Sequence, residues 1–265
     1  MIITDKTKPH AIFLDIDGTL CDNGKTESLN IAVYPERNLK AISKARALGH
    51  KVFINTGRGF AALPENIFDE VELDGSVTGL GTHIIVDGKT VYERFIDAAL
   101  LDGLVEYTLK TGSTCRFQGG KTLLVCNSVR DLKPLWKEFS TKEQFYSLLG
   151  DDGVLKFTID KGLEGDYLDY LSERFDLFMH SKAGEGTTKG HNKATAMKTV
   201  LDMLGIPEER SIAMGDSVND VDMLGAAGIS VAMGNAPDKV KEMCDTVTAS
   251  AVEGGVGRAI EDLLF

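Results

Sequence analysis

The sequence predicts an α/β fold, a doubly wound Rossmann-like parallel sheet core with an inserted α+β cap domain. Three observations predict it. Strand and helix signals alternate at the start of the chain and again over its last third. Hairpin signals crowd the middle. The 265 residues, 43% of them hydrophobic, supply a core near the practical limit for one domain, so that a large domain carrying a smaller insert is as well accommodated as two equal halves. With 28 glycines, 6 prolines and 26% charged residues, the composition excludes a disordered chain, which has less apolar material, and a fibrous one, which has a compositional period.

The first apolar run, Ala11 to Ile16, is short, carries Ile and Phe and stops at Asp17-Gly18, so it reads as a buried strand. A helix is expected from Glu36 to Leu48, with Leu39, Ile42 and Ala45 on one face and Gly49 as its stop. Lys51 to Asn55 is the next strand, which completes a parallel βαβ unit. The last third repeats the alternation. It gives helix Asn192 to Leu204, strand Ser211 to Met214, helix Val218 to Ala226 and strand Ile229 to Ala232, then helix Asp238 to Met243, a strand near Thr246 and helix Val256 to Leu264.

Between them, Asp87-Gly88 and Gly119-Gly120 read as hairpin turns joining apolar runs at Ile84 to Val86, Thr114 to Phe117 and Leu123 to Cys126. Helical patterns at Leu100 to Lys110, Leu132 to Phe139 and Tyr167 to Phe175 lie among them. The expected division is 1–83 and 182–265 for the core and 84–181 for the insert, with the glycine-rich stretch Gly184 to Gly190 as the hinge leaving it.

Charge narrows the function. The 29 basic and 40 acidic residues give −11, which repels nucleic acid and anionic lipid, and no basic cluster reverses the field. Neither partner is expected, and the chain reads as a monomer or homodimer. Cys21, Cys115, Cys126 and Cys244 are scattered without metal spacing and read as reduced thiols. No leader-like or membrane-spanning run is present, so the cytoplasm is the expected location.

The chemistry-bearing residues fall at expected strand ends. Asp15 and Asp17 flank Ile16, and side chains two apart on a strand point the same way, toward the carboxyl edge where open α/β sheets bind ligands. Asp17-Gly18 is also ordinary turn chemistry. Gly215-Asp216-Ser217-Val218-Asn219-Asp220 follows another strand and brings Asp216 and Asp220 to the same edge, although either could simply cap the following helix. Four carboxylates at one edge repel unless a cation sits among them, and an all-oxygen set suits Mg²⁺. Lys193 lies one turn before Met197 on the apolar stripe of its helix, so its ammonium is directed inward, at a helix start where the macrodipole disfavours a cation. Asn55-Thr56-Gly57-Arg58 offers a hydroxyl and a glycine amide to a phosphate oxygen. Cys21, His83, His180 and His191 lack a partner base or ligand spacing and read as packing or surface residues, with His191 close enough to Lys193 in sequence to touch a substrate.

In this order, Asp15-Ile16-Asp17-Gly18-Thr19-Leu20, Thr56-Gly57-Arg58, Lys193 and the segment from Gly215 to Asp220 resemble the haloacid dehalogenase-like hydrolase superfamily. The ending, with Ala232-Met233-Gly234-Asn235-Ala236 and Glu253-Gly254-Gly255-Val256-Gly257, is similar to its Cof-type phosphatase branch with a large α+β cap. The resemblance implies Mg²⁺-dependent hydrolysis of small phosphorylated metabolites, such as sugar phosphates, through an aspartyl-phosphate. Asp15 is then the nucleophile and Asp17 the acid and base. Thr56, Gly57, Lys193 and Asn219 are the substrate-binding residues, with Thr56 and Lys193 holding phosphoryl oxygens. Asp15, Asp216 and the Asp17 carbonyl form the metal site, with Asn219 and Asp220 orienting Lys193 or metal-bound water. Asn55 departs from the small residue common in relatives. The presence of Asp17 argues against a true dehalogenase, which has no alkoxide to protonate. A phosphomutase of the phosphomannomutase type and a non-enzymatic phosphate-responsive binding protein are the alternatives. Specificity is expected in the insert, where Arg116, Gln118 and Lys156 are polar residues near apolar runs.

Overall fold

A computed structural model describes residues 8–22, 31–128, 135–161, 165–179 and 183–265. The chain divides into two compact units. One comprises the residues up to Gly57, Leu63–Val91 and Asn192–Phe265; the other comprises Arg58–Ala62 and Tyr92–His191.

The first unit begins with β1 (Ala11–Leu14), α1 (Glu36–Ala47), β2 (Lys51–Asn55), α2 (Ile67–Glu70) and β3 (Gly75–Thr78). Helix α1 buries Asn38, Ala41, Ile42 and Ala45, the face its sequence spacing marks. The expected strand from Ile84 is β4 (His83–Val86), and Asp87 (φ 47°) with Gly88 (φ 73°) turns it into β5 (Lys89–Glu93). Both central residues of that turn are left-handed, as a tight hairpin requires.

The inserted unit contains α3 (Ala98–Thr111), β6 (Thr114–Gly119), β7 (Leu123–Cys126), β8 (Lys137–Phe139), α4 (Lys142–Leu149), β9 (Val154–Lys161), α5 (Gly165–Arg174), β10 (Phe175–Met179) and β11 (Gly184–Thr188). Its six strands run in the order β10-β11-β9-β6-β7-β8, antiparallel except for the parallel pair β7 and β8. Residues of α3, α4 and α5 share one apolar core with the sheet. Within it Phe117, Phe139 and Phe145 meet edge to face at 5.0–5.7 Å, the geometry aromatic quadrupoles favour.

The chain then returns to the first unit through α6 (Lys193–Leu204), β12 (Ser211–Gly215), α7 (Val221–Ala226), β13 (Ile229–Ala232), α8 (Asp238–Lys241), β14 (Thr246–Val247) and α9 (Gly255–Leu264). The sheet order is β14-β13-β12-β1-β2-β3-β4-β5, parallel from β14 to β3 and antiparallel between β3 and β4. The fold class is therefore the expected one. Because β1 lies between β2 and β12, which the chain reaches in opposite directions, its carboxyl end is the switch point of the sheet. Phe13 and Phe53 stack beneath it at 5.5 Å and pack in one core with Met197, Val200 and Leu201 of α6.

Several expectations shift. The first strand ends at Leu14, not Ile16, because Ile16 accepts turn hydrogen bonds from Thr19 and Cys21. The stretch expected as a helix from Leu132 begins outside the described residues, and its described end is strand β8. The stretch Gly184 to Gly190, expected as a hinge, opens as strand β11, paired on both sides. Gly186 is there because a Cβ would lie 2.1 Å from the Phe157 ring. The expected boundary at 83/84 falls inside β4, which pairs with β3 and belongs to the first unit; the boundary at 181/182 lies outside the described residues. Among the described residues, no helix is long and apolar enough to cross a membrane.

Candidate active site

Asp15 follows β1 directly, and its N–H still donates to the Met214 carbonyl of β12 at 3.0 Å. The chain then folds back over Ile16 to Cys21, with Gly18 at φ 80°, so strand alternation no longer aligns Asp15 with Asp17. Gly18 is required for a second reason. A Cβ there would sit 2.3 Å from Asp216 Oδ2, so only glycine lets the two loops approach this closely.

Helix α6 delivers the cation. Asn192 and Thr195 form a reciprocal capping box, Asn192 Oδ1 accepting the Thr195 N–H at 2.8 Å and Thr195 Oγ1 accepting the Asn192 N–H at 3.1 Å. This fixes the helix start, so Lys193 joins Ala196, Met197, Val200 and Leu201 on the buried face. Its Nζ donates to Asp15 Oδ1 and to Asp220 Oδ1, each at 2.6 Å, and the lysine and Asp220 side chains are wholly buried.

Asp220 is the anchor of this arrangement. It closes the 3-10 turn Val218–Asp220, where its Oδ2 accepts the N–H groups of Asp216 (3.1 Å) and Ser217 (2.9 Å) while Oδ1 faces Lys193. The capping role weighed from sequence and the contact with Lys193 thus belong to the same carboxylate. Asn219 is half-buried, and its Oδ1 accepts the Ser217 hydroxyl at 2.7 Å. Asp216 is held by Thr19 Oγ1 (3.4 Å) and Asn235 Nδ2 (3.2 Å), and the same Asn235 nitrogen donates to the Gly18 carbonyl at 2.8 Å. Sequence reasoning gave Thr19 and Asn235 no role. Their signal was their place inside the quoted motifs, beside the residues they hold.

Asp15, Asp216 and Asp220 each offer a carboxylate oxygen within 4.8 Å of the others; among the described residues Asp17, half-buried, is not in that trio. Burial pushes the Asp15 carboxyl well above its usual range; the Lys193 charge opposes this, and the charges of Asp220 and Asp17 add to it. Burial, then repulsion from Asp220, pushes Asp216 up to about 6 against the pull of Lys193 and the Thr19 hydrogen bond. Burial would lower the Lys193 pKa, but attraction to Asp15 and Asp220 outweighs it and raises it, so the ammonium is charged. One lysine among three close carboxylates leaves excess negative charge. Hard oxygen donors with that excess fit a divalent cation such as Mg²⁺, chiefly through Asp15 and the half-buried Asp216, since Asp220 is wholly buried and its oxygens already accept from Lys193, two main-chain N–H groups and the Ser217 hydroxyl.

Thr56 and Gly57 follow β2 and are buried. The Thr56 N–H donates to the Val77 carbonyl at 2.9 Å, which continues the strand ladder and fixes the residue at the same sheet edge. In the inserted unit, Arg116 binds Asp160 through two hydrogen bonds of 2.6 Å, and Lys156 binds Glu185 at 2.6 Å. Gln118 Oε1 accepts the Gly59 N–H at 2.7 Å. His83 sits between Thr78 (3.2 Å) and Thr90 (3.3 Å), His191 contacts the Tyr92 hydroxyl at 2.6 Å, and the buried Cys21 lies 3.6 Å from the Ile16 carbonyl. His180 lies outside the described residues.

The sequence profile of the haloacid dehalogenase-like hydrolases matches residues 12–260. A putative phosphatase of Bacillus subtilis, YkrA, is 28% identical over 261 residues, covering 95% of this chain and 96% of its own. The 5-amino-6-(5-phospho-D-ribitylamino)uracil phosphatase YcsE of the same organism is 29% identical, covering 94% of this chain and 93% of its own. The solved structure of a sugar phosphatase of haloacid dehalogenase subclass IIB superimposes with a TM-score of 0.75 at 27% identity, covering 95% of this chain and 98% of that one.

Proposed function

The chain belongs to the haloacid dehalogenase-like hydrolases and is a phosphoric monoester hydrolase of that family, and we propose that it cleaves small phosphorylated metabolites, sugar phosphates or similar esters, through an aspartyl-phosphate on Asp15 with Mg²⁺ as cofactor. The observation that carries this reading is the buried Lys193 ammonium, 2.6 Å from Asp15 at the switch point of the sheet.

In the proposed reaction an Asp15 carboxylate oxygen attacks phosphorus as the bond to the ester oxygen breaks. Asp17 gives its proton to the departing alkoxide. A water molecule then returns a proton to Asp17 and attacks the same phosphorus, which frees Asp15 and releases phosphate. An ammonium has three donors, and Lys193 uses two on Asp15 and Asp220, so one is left for a phosphoryl oxygen. Thr56 Oγ1 and the Gly57 N–H serve the others. Asp220 keeps Lys193 in place, and Thr19 and Asn235 hold Asp216 toward the cation site. When bound, Mg²⁺ neutralises charge on the phosphoryl oxygens and lets Asp15 approach an anionic ester.

The inserted unit is proposed as the specificity-bearing cap. Its Arg116 is already matched by Asp160 and its Lys156 is buried against Glu185, so neither is offered as an unmatched cation to a second anionic group, which suits a hydroxyl-rich leaving group better. The cytoplasm, a monomeric or homodimeric state and the absence of nucleic-acid and membrane partners belong to the same proposal.

The test is release of inorganic phosphate from a panel of phosphorylated metabolites with Mg²⁺, with and without EDTA. Metal-dependent release from sugar or polyol phosphates supports the reading. Isomerised sugar phosphate without free phosphate would make the chain a mutase, and binding without turnover would make it a phosphate-responsive binding protein.

A further inference from the structure

Strand β2 is apolar and buried through Val52, Phe53 and Ile54, yet its last residue is Asn55, also 0% exposed. The Asn55 Nδ2 donates to the main-chain carbonyl of Lys193 at 2.9 Å, joining the end of β2 to the first residue of α6. The Oδ1 of the same amide is buried and has no hydrogen-bond partner among the described residues.

For stability alone this is a poor choice. A half-paired buried amide is costlier than an apolar side chain of similar size, and the Lys193 carbonyl already faces the N–H one turn along α6. What the amide does is geometric. It belongs to the residue before Thr56 and grips the backbone of Lys193. The other flank of Thr56 is fixed as well: its carbonyl accepts the N–H of Leu80 at 3.4 Å. Leu80 is wholly buried at φ 59°, a strained value for a residue with a side chain. Its neighbour Gly81 lies so close to α6 that a Cβ would be 2.6 Å from the Asn192 carbonyl. One side of Thr56 is thus hydrogen-bonded to the start of the helix that carries Lys193, and the other is packed closely against it.

We propose that Asn55 is a positioning residue for phosphoryl transfer, its Nδ2–H holding the start of α6 against the end of β2 so that Thr56 and Lys193 keep a fixed spacing before substrate arrives. This rests on the assignment of those two residues to the phosphoryl group. It makes Asn55 a stability cost retained for activity.

The experiment compares Asn55→Ala and Asn55→Leu with the parent, using para-nitrophenyl phosphate and Mg²⁺, inorganic phosphate as competitive inhibitor, and thermal unfolding. Loss of the tether should lower kcat/KM about 10- to 100-fold, as small misplacements of catalytic groups do. It should also weaken inhibition by phosphate at least about fivefold, the worth of one hydrogen bond. The unfolding midpoint should stay level or rise, because the unpaired Oδ1 is gone. Lower midpoints with parental kcat/KM and phosphate inhibition would overturn the proposal. If the Ala and Leu variants do not fold, Asn55→Ser, smaller and too short to reach the carbonyl, carries the same expectation; failure of all three to fold would make Asn55 a structural residue and overturn it too. Lys193→Ala in the same assay separates the two levels. A fully active Lys193→Ala would remove the premise, whereas an inactive one beside fully active Asn55 variants would remove only the role of Asn55.

Discussion

Lys193 and Lys156 are both wholly buried, and each touches a carboxylate at 2.6 Å, but their surroundings are built to different ratios. Lys193 meets Asp15 and Asp220, with Asp216 close by, and these acids come from two loops about 200 residues apart in sequence. Lys156 meets Glu185 across neighbouring strands of one sheet. The balanced pair is what burial of a charge requires. The acid-rich cluster exceeds that requirement, and Asp15 and Asp216 carry the cost as pKa values pushed upward. A third arrangement is balanced as well, two cations against two acids. Asp74 faces Arg46 at 2.9 Å, Lys51 at 3.0 Å and the Val52 N–H at 2.9 Å, and Arg46 also pairs with Glu72 at 3.3 Å. Burial would raise its carboxyl, yet these donors hold it below the usual range. Excess acid thus sets the candidate site apart, and matched charge accompanies the structural pairs.

The contrast is broken most strongly at Asp15. Asp15→Asn keeps the shape but removes the attacking charge, so phosphate release should fall at least about 10³-fold, measured by steady-state assay. A residual rate near the parent's would deny the acid-rich cluster its role. The cation deficit has its own readout: a divalent ion that binds only the folded chain should raise the unfolding midpoint, by about 2.7 kcal/mol of stability at a hundredfold excess over Kd. That gain should shrink sharply in Asp216→Asn.

The balanced pair should behave oppositely. Lys156→Met takes the 2.6 Å ammonium contact away from Glu185 and should cost about 2–3 kcal/mol in denaturant titration, at the low end for a buried pair because Glu185 is 17% exposed. Adding Glu185→Leu should recover most of that loss, while para-nitrophenyl phosphate turnover stays close to the parent's. The smallest effect belongs to Asp74. A carboxyl with a depressed folded pKa contributes stability that is complete well above the unfolded value near 3.8 and is lost as pH falls through the lower folded one. Asp74→Asn should therefore cost about 1–2 kcal/mol at pH 7 and flatten the acid limb of stability against pH.

The core was legible because its signals are local. Strand β2, α6 with its stripe through Leu201, and β13 stand within a residue of their expected places. The insert was less so. Strand β9, central in its sheet, was not foreseen: its run from Val154 to Lys161 alternates apolar residues with the buried Lys156 and Thr158, whose partners on β11 and β6 no local pattern shows. In the site, the inward lysine could be read from helical spacing. The turn after Leu14 could not, because the left-handed Gly18 and its fit against Asp216 depend on a loop from the far end of the chain. Asn55 stood out in sequence only as a departure; its partner is the carbonyl of Lys193, 138 residues away.

The central claim, that Asp15 carries the phosphoryl group, is tested most directly by quenching turnover with sodium borohydride, which reduces an acyl phosphate to an alcohol. Peptide mass spectrometry should then find homoserine at position 15, dependent on both substrate and Mg²⁺ and absent from Asp15→Asn. An unmodified Asp15 under full turnover, or reduction at another carboxylate, would contradict the account.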